Sequence, residues 1–195
     1  VRIFMTADPH FGHKNVIEYC SRPFKNVDHM NESLIRNWNQ RVKLDDVTYV
    51  VGDFCFLGGS QGGLTKAQEW ESRLNGKVIY IAGNHDSHNK IKGLRDARML
   101  FAGSLIYMVH EPPERLDGFN PIPDLIICGH VHQHWRTKLI KNDPNPTGNP
   151  MLAGAKHEER LIVNVGVDVW DYRPVLLQEV ITFAQKVMRE SGHAH

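Results

Sequence analysis

MTADPHFGHKN, Met5 to Asn15, sets an aspartate and two histidines at the end of the apolar run RIFMTA, with a glycine between the histidines. Alternate residues of an extended segment share a face, so Asp8 and His10 point the same way and are able to bind one cation. Taken alone, Asp-x-His is a common turn. Its reading is decided by what ends the other apolar runs. VTYVVG is followed by Asp53, KVIYIAG by Asn84, His85 and Asp86, LIYMV by His110, and DLIICG by His130 and His132. Independent turns have no reason to close five successive buried runs with oxygen and imidazole donors. Strand ends are where a sheet converges side chains from distant positions.

Working outward, the runs are short, β-branched and almost continuously apolar, as strands buried on both faces are. Helical patterns lie between them. In DHMNESLIRNWNQRV, Met30, Leu34, Trp38 and Val42 form one stripe, with Asp28 expected to cap the start. TKAQEWESRLNG puts Ala67, Trp70 and Leu74 on one face with Asn75-Gly76 as its stop, and KNVIEYC predicts a helix just after His13. A longer pattern runs from Pro174, favourable in a first turn, to about Ser191. This alternation predicts a layered α/β or α+β fold with a large central sheet. FLGGSQGG (56–63) and LIKNDPNPTGNPMLAGAKHEE (139–159) are expected to be loops, and the first lacks the Gly-Lys-Ser/Thr ending of a phosphate-binding loop.

At 195 residues, 41% hydrophobic and 23% charged, the chain suits a single domain over 1–195. A formal charge of +1 offers no bulk field for a membrane or for stable DNA binding. With no bilayer-length apolar run and no basic flank or cleavage site at RIFMTAD, the expected location is cytoplasmic, the host cytoplasm if phage-encoded. Cys20, Cys55 and Cys128 form no C-x-x-C pair and are expected to be buried free thiols, while His193 and His195 are expected in a frayed tail.

Imidazole, carboxylate and carboxamide donors without thiolates suit borderline to hard divalent ions. Asp8, His10, Asp53, Asn84, His110, His130 and His132 are too many for one ion. They fit two ions about 3.5–4 Å apart with one carboxylate bridging, an arrangement used for displacement at phosphorus.

The ordered set Asp8-x-His10, Gly52-Asp53, Gly83-Asn84-His85-Asp86, His110 and Gly129-His130-Val131-His132 resembles the calcineurin-like metallophosphoesterase superfamily. NVGVDVWDYRP, Asn164 to Pro174, is similar to the closing strand of its compact bacterial and phage members. The resemblance implies a four-layer α/β/β/α sandwich of the metallo-dependent phosphatase type. It implies a first ion on Asp8, His10, Asp53 and His132 and a second on Asp53, Asn84, His110 and His130, manganese before iron, zinc or nickel. A bridging hydroxide would attack phosphorus while His85 protonates the leaving oxygen. Asp86 would either orient His85 or simply form the turn, and Asn84 and His85 would touch the substrate. His13 is expected as a substrate contact or neighbour of the ligands, against a structural role at the helix start. Lys14 and Asn15 are weaker candidates for holding a phosphate oxygen.

The expected reaction is phosphodiester hydrolysis, on a small diester, a cyclic nucleotide or an RNA end. Alternatives are a phosphomonoesterase, including a protein phosphatase, a non-catalytic metal-binding scaffold, and an amide or lactone hydrolase. The expected partner is a small phosphate ester, with the oligomeric state left open. Phe54, Phe56 and Trp135 are candidates to stack a base, and Arg22, Lys92 and Arg136 to contact phosphate.

Overall fold

The apolar runs pair into two sheets in the computed structural model, which describes residues 1–56, 64–89, 91–143 and 158–192. The loop readings at 57–63 and 144–157, and the tail histidines His193 and His195, lie outside the described residues. In the first sheet β1 (Ile3–Thr6), β2 (Val47–Val51) and β3 (Lys77–Ile81) run parallel, and β9 (Val175–Leu176) joins β1 antiparallel, in the order β3-β2-β1-β9. The second sheet has the order β4-β5-β6-β8-β7. Its centre, β5 (Ser104–Val109), β6 (Leu125–Cys128) and β8 (Glu159–Asn164), is parallel, and its edges, β4 (Asp96–Phe101) and β7 (Thr137–Lys141), are antiparallel.

The period of two along each strand explains the continuous apolar runs. Phe4 and Val50 face the helices and pack with Met30, Leu34 and Trp38 of α2 (Val27–Arg41), alongside Val16 of α1 (Val16–Tyr19) and Ala67 of α3 (Leu64–Glu71). Their neighbours Met5 and Val51 face the other way, onto Ile106, Met108, Ile127 and Val163 of the second sheet. On the far side of that sheet, Ile126, Cys128 and Ile162 are covered by Leu116, Phe119 and Ile122 from the segment between β5 and β6. The C-terminal helix α4 (Leu177–Glu190) packs on β8, β9 and β1 and sends Leu177, Val180, Ile181 and Ala184 into the inter-sheet core.

Two mixed sheets flanked by helices match the fold class the motifs implied, and they correct the single large sheet inferred from the apolar runs alone. Continuous apolarity encodes burial on both faces but not whether helices or a second sheet do the covering. β4 and β7 were not expected. They are edge strands that carry Asp96, Arg98, Lys138 and Lys141, the polar composition that guards a sheet edge, and β7 takes Leu139–Lys141 from the segment read as loop.

Local capping also differs. Asn26, not Asp28, caps α2 by accepting from the His29 amide at 2.8 Å, because its extended backbone lets the side chain turn back over the first turn. Pro174 stands before β9, so α4 starts only at Leu177, where the Glu179 carboxylate accepts from the Leu176 amide at 3.1 Å. α3 ends at Glu71, before the Asn75-Gly76 stop. All three cysteines are buried and free. Among the described residues no helix is long and apolar enough to cross a membrane.

At the start of β2 the Asp46 carboxylate accepts from the Arg2 and Lys43 amides at 2.9 and 2.8 Å and from the Arg2 guanidinium at 2.6 Å. The guanidinium holds its pKa well below the ordinary 3.8. A depressed carboxyl stabilises the fold above its unfolded pKa and loses that contribution as pH falls toward the folded value. Asp46→Asn should therefore lower the urea midpoint at pH 7, with the gap from wild type shrinking steadily below about pH 4; a gap independent of pH would contradict this.

Candidate metal centre

The carboxyl ends of the parallel strands place seven donors around one point, and several sit on left-handed backbone: Asp8 at φ 55°, His10 at 51°, Asp53 at 53°, His130 at 69° and His132 at 46°. Such angles are uncommon for residues with a Cβ and concentrate where a site demands them. Neighbouring strand ends hold them in place, the Asp8 amide donating to the Gly52 carbonyl at 3.0 Å and the His10 amide to the Asp53 carbonyl at 3.1 Å. Gly52 itself has φ 89°, and a Cβ there would lie 2.0 Å from His110 Nδ1. Only glycine lets the imidazole approach this closely.

Asp53 is the hub. Its Oδ1 accepts from the His85 amide at 3.0 Å, while Oδ2 lies 3.6 Å from His10 Nε2 on one side and 3.4 Å from His110 Nε2 on the other. His110 donates from Nδ1 to the Val51 carbonyl at 2.9 Å, which turns Nε2 toward Asp53 and toward Asn84 Oδ1 at 3.0 Å. The same Asn84 oxygen lies 3.2 Å from His130 Nδ1. Asp8 accepts from the His130 amide at 3.1 and 2.9 Å through its two oxygens. Two donor triads result, Asp8 with His10 and His132, and Asp8 with Asp53 and His110, each with its ligand atoms within 4.8 Å of one another.

The charges point to a cation. Burial raises the Asp8 carboxyl to about 6 even though His110 and His132 pull it down. Burial opposes charge on His110, but the hydrogen bond to Asp53 and the nearby carboxylates outweigh it and lift the pKa to about 9. Burial would raise Asp53, yet the same bond and the His110 charge hold it at about 2. His10, by contrast, is held neutral by burial, and neither of its ring nitrogens has a hydrogen-bond partner among the described residues. A buried orphan nitrogen costs about 1–3 kcal/mol unless something satisfies it, and a divalent ion on Nε2 would do so. Asp8, His10, Asp53, His110 and His132 thus fit a site for divalent metal, with Asn84 and His130 beside it.

Other expectations divide. His85 stands at the mouth with its side chain 40% exposed and Nε2 4.0 Å from Asp53 Oδ2. His13 packs 4.3 Å from the Phe56 ring and 5.3 Å from the His10 ring, on the wall of the site and outside both donor triads. Asp86 does not orient His85. Its carboxylate is fully buried and accepts from the amides of Asp53 at 2.9 Å, Phe54 at 3.0 Å and Gly83 at 2.8 Å, so it fixes the hub through the backbone. Phe54 is a core residue and Trp135 packs in the outer core of the second sheet, which leaves Phe56 as the aromatic candidate at the site. Arg22 is not a phosphate contact, being buried among backbone carbonyls and Asp168. Arg136 lies over the Trp170 ring and donates to the Val169 carbonyl, while Lys14, Asn15 and Lys92 are exposed.

The sequence reading missed Asn164 and Asp168. Asn164 donates to the carbonyls of His132 and Trp135, both at 2.8 Å, and so shapes the loop that carries His132. Asp168 accepts from His132 Nδ1 at 2.9 Å. The signal was present in NVGVD, where polar residues end a buried run as they do elsewhere in the chain.

Removing the Asp86 carboxylate would leave two buried amides and a half-buried one without that acceptor. Asp86→Ala should cost about 2–4 kcal/mol in urea denaturation, whereas His85→Ala at the open mouth should stay within about 0.5 kcal/mol of wild type. Equal losses would contradict the division of roles between these neighbours.

No family model matches the chain. In overall structure it is similar to the protein of unknown function AQ665 from Aquifex aeolicus, with a TM-score of 0.64, 20% identity, and 93% and 98% of the two chains covered. Lower similarity extends to wild-type Vps29 of Entamoeba histolytica complexed with zinc, at a TM-score of 0.40 and 16% identity over 85% of this chain and 74% of that one. It extends also to a predicted phosphoesterase from Streptococcus pneumoniae TIGR4, at 0.38 and 13% over 84% and 71%. In sequence, the uncharacterized protein MJ1445 of Methanocaldococcus jannaschii is 33% identical over 189 residues, 95% of this chain and 92% of that protein. With a third of its residues identical along nearly the whole of both chains, the protein belongs to the same family as MJ1445.

Proposed function

We propose that the protein is a binuclear metal-dependent phosphoesterase that hydrolyses phosphodiesters. The observation that carries this reading is the position of Asp53 Oδ2, 3.6 Å from His10 Nε2 and 3.4 Å from His110 Nε2, where one carboxylate can serve two ions. Two divalent ions, manganese first, on Asp8, His10, Asp53 and His132 and on Asp53, Asn84, His110 and His130, would supply Lewis acidity and acidify a water as the nucleophile.

The chain's own groups complete the chemistry. His85 is held by its amide on Asp53 Oδ1 at 3.0 Å and by its carbonyl, which accepts from Asn89 Nδ2 at 2.8 Å, while the exposed ring is free to give a proton to a leaving oxygen. Phe56 lies edge-on to that ring at 5.9 Å and packs in turn against His13, whose pKa burial lowers. With Arg22 committed to Asp168, the mouth as the described residues form it offers imidazole and an aromatic face in place of a guanidinium. Such a mouth favours a monoanionic diester with an organic group on each side over a dianionic monoester, which calls for fixed positive charge.

The test is turnover of metal-stripped protein reloaded separately with manganese, zinc, nickel, iron or magnesium, on bis-p-nitrophenyl phosphate, p-nitrophenyl phosphate and the 2′,3′- and 3′,5′-cyclic nucleotides. The expected result is metal-dependent turnover with diesters ahead of the monoester. Monoester preference would overturn the diester assignment, and no turnover with two ions bound would favour a scaffold. Asp53→Ala should lose ions and turnover together, whereas His85→Ala should keep both ions and lose about 100-fold or more in rate, most for poor leaving groups.

A further inference from the structure

His132 brings a ring to the Asp8 and His10 side of the centre, stacked on the His10 ring at 5.2 Å. Its Nδ1 is already committed, donating to Asp168 Oδ2 at 2.9 Å, so Nε2 is the ring atom left for a cation. Asp168 comes from the short turn Val167–Val169, beyond the end of β8, and its side chain is 1% exposed. Arg22 grips the same carboxylate, from Nε to Oδ1 at 2.8 Å and from Nη2 to Oδ2 at 2.9 Å. The remaining bonds of that guanidinium include the Asp8 carbonyl at 2.7 Å and the Pro9 carbonyl at 3.0 Å, the two carbonyls of the left-handed turn that aims Asp8 and His10.

A buried ion pair contributes little net stability, because desolvation offsets most of its attraction. What this pair does provide is geometric. One guanidinium holds the backbone of the Asp8 turn, and the carboxylate it holds aligns His132, which lies far away in sequence. Cys20 completes a possible donor triad with His132 and Asp168, but Arg22 already matches the charge of that carboxylate, which argues against a further ion there.

We propose that the Arg22–Asp168 pair is the positioning device for the Asp8, His10 and His132 half of the metal centre, with Asp168 keeping the His132 proton on Nδ1 so that Nε2 stays open to the ion. The inference rests on the reading of these three residues as metal ligands. It predicts a particular effect of Asp168→Asn. Arg22 can only donate, so the carboxamide oxygen would turn to it, leaving the NH2 group to donate to His132 Nδ1 and shifting the ring proton to Nε2. An aligning carboxylate changed to carboxamide imposes the wrong histidine tautomer in this way.

The experiment is calorimetric zinc titration of the full chain and of Asp168→Asn, with long-range ¹H–¹⁵N spectra of the histidine rings in the zinc-loaded proteins. The wild type should bind two ions and show His132 with its proton on Nδ1. Asp168→Asn should keep its circular dichroism spectrum, bind one ion about 10–100-fold more weakly and the other unchanged, and show the proton displaced from Nδ1. Two ions bound equally well by both proteins, with the same His132 tautomer, would overturn this inference alone. Failure of the wild type to bind any ion would overturn the metal-centre reading as well. Should the variant fail to fold, the wild-type spectrum still decides, since a His132 proton on Nε2 overturns the proposal without any substitution.

Discussion

Much of the molecule is organised around keeping one carboxylate, Asp53, charged in a place where burial opposes charge. A buried carboxylate is tolerated only when hydrogen bonds and opposite charges replace the lost water. Asp53 obtains both: the His85 amide on one oxygen, and two imidazoles facing the other. Each of those partners comes from a different strand end, so all the strands must stop at the same level. The parallel pairing of β1, β2 and β3, and of β5, β6 and β8, is what lines those ends up.

Around that point lies a layer of residues that touch backbone as well as ligands. Asp86 holds the amides of Asp53 and Phe54, Asn164 holds the carbonyls of His132 and Trp135, and Arg22 holds the carbonyls of Asp8 and Pro9. These are strong or charge-assisted bonds in a dry environment, where leaving one unmade costs far more than the bond's net worth. They also explain how so many of the donors tolerate left-handed backbone. The strain is local, and the backbone amides of Asp8, His10, Asp53 and His130 all find partners.

Stability and function are divided between the faces of the first sheet and its rim. Its helix side, where Phe4 and Val50 meet Trp38 of α2, and its inner side, where Met5 and Val51 meet Ile127 of the second sheet, are apolar and close-packed. Polar chemistry is confined to the rim beyond the strand ends, where the mouth opens on His13, Phe56 and His85. A rigid sandwich carrying a polar rim suits a reaction that demands ions and substrate in fixed relation, with variation in the surrounding loops left to set specificity.

Residue type and order along the chain were enough to pick out the donors of the candidate centre. The seven stand at the ends of five apolar runs, and residue type with position at a strand end is local information that survives without a fold. It also determined the inner strands and the stripe of α2. That the strands form two sheets follows from packing and not from their composition, because a strand buried on both faces reads the same whatever covers it. The same holds for the roles of Asp86, Arg22 and Asp168. An aspartate next to a catalytic-looking histidine reads as its partner, and an arginine near a metal motif reads as a phosphate contact, until the chain brings Asp168 across 146 residues to Arg22. Which polar groups meet over that distance is set by packing, and no local pattern records it.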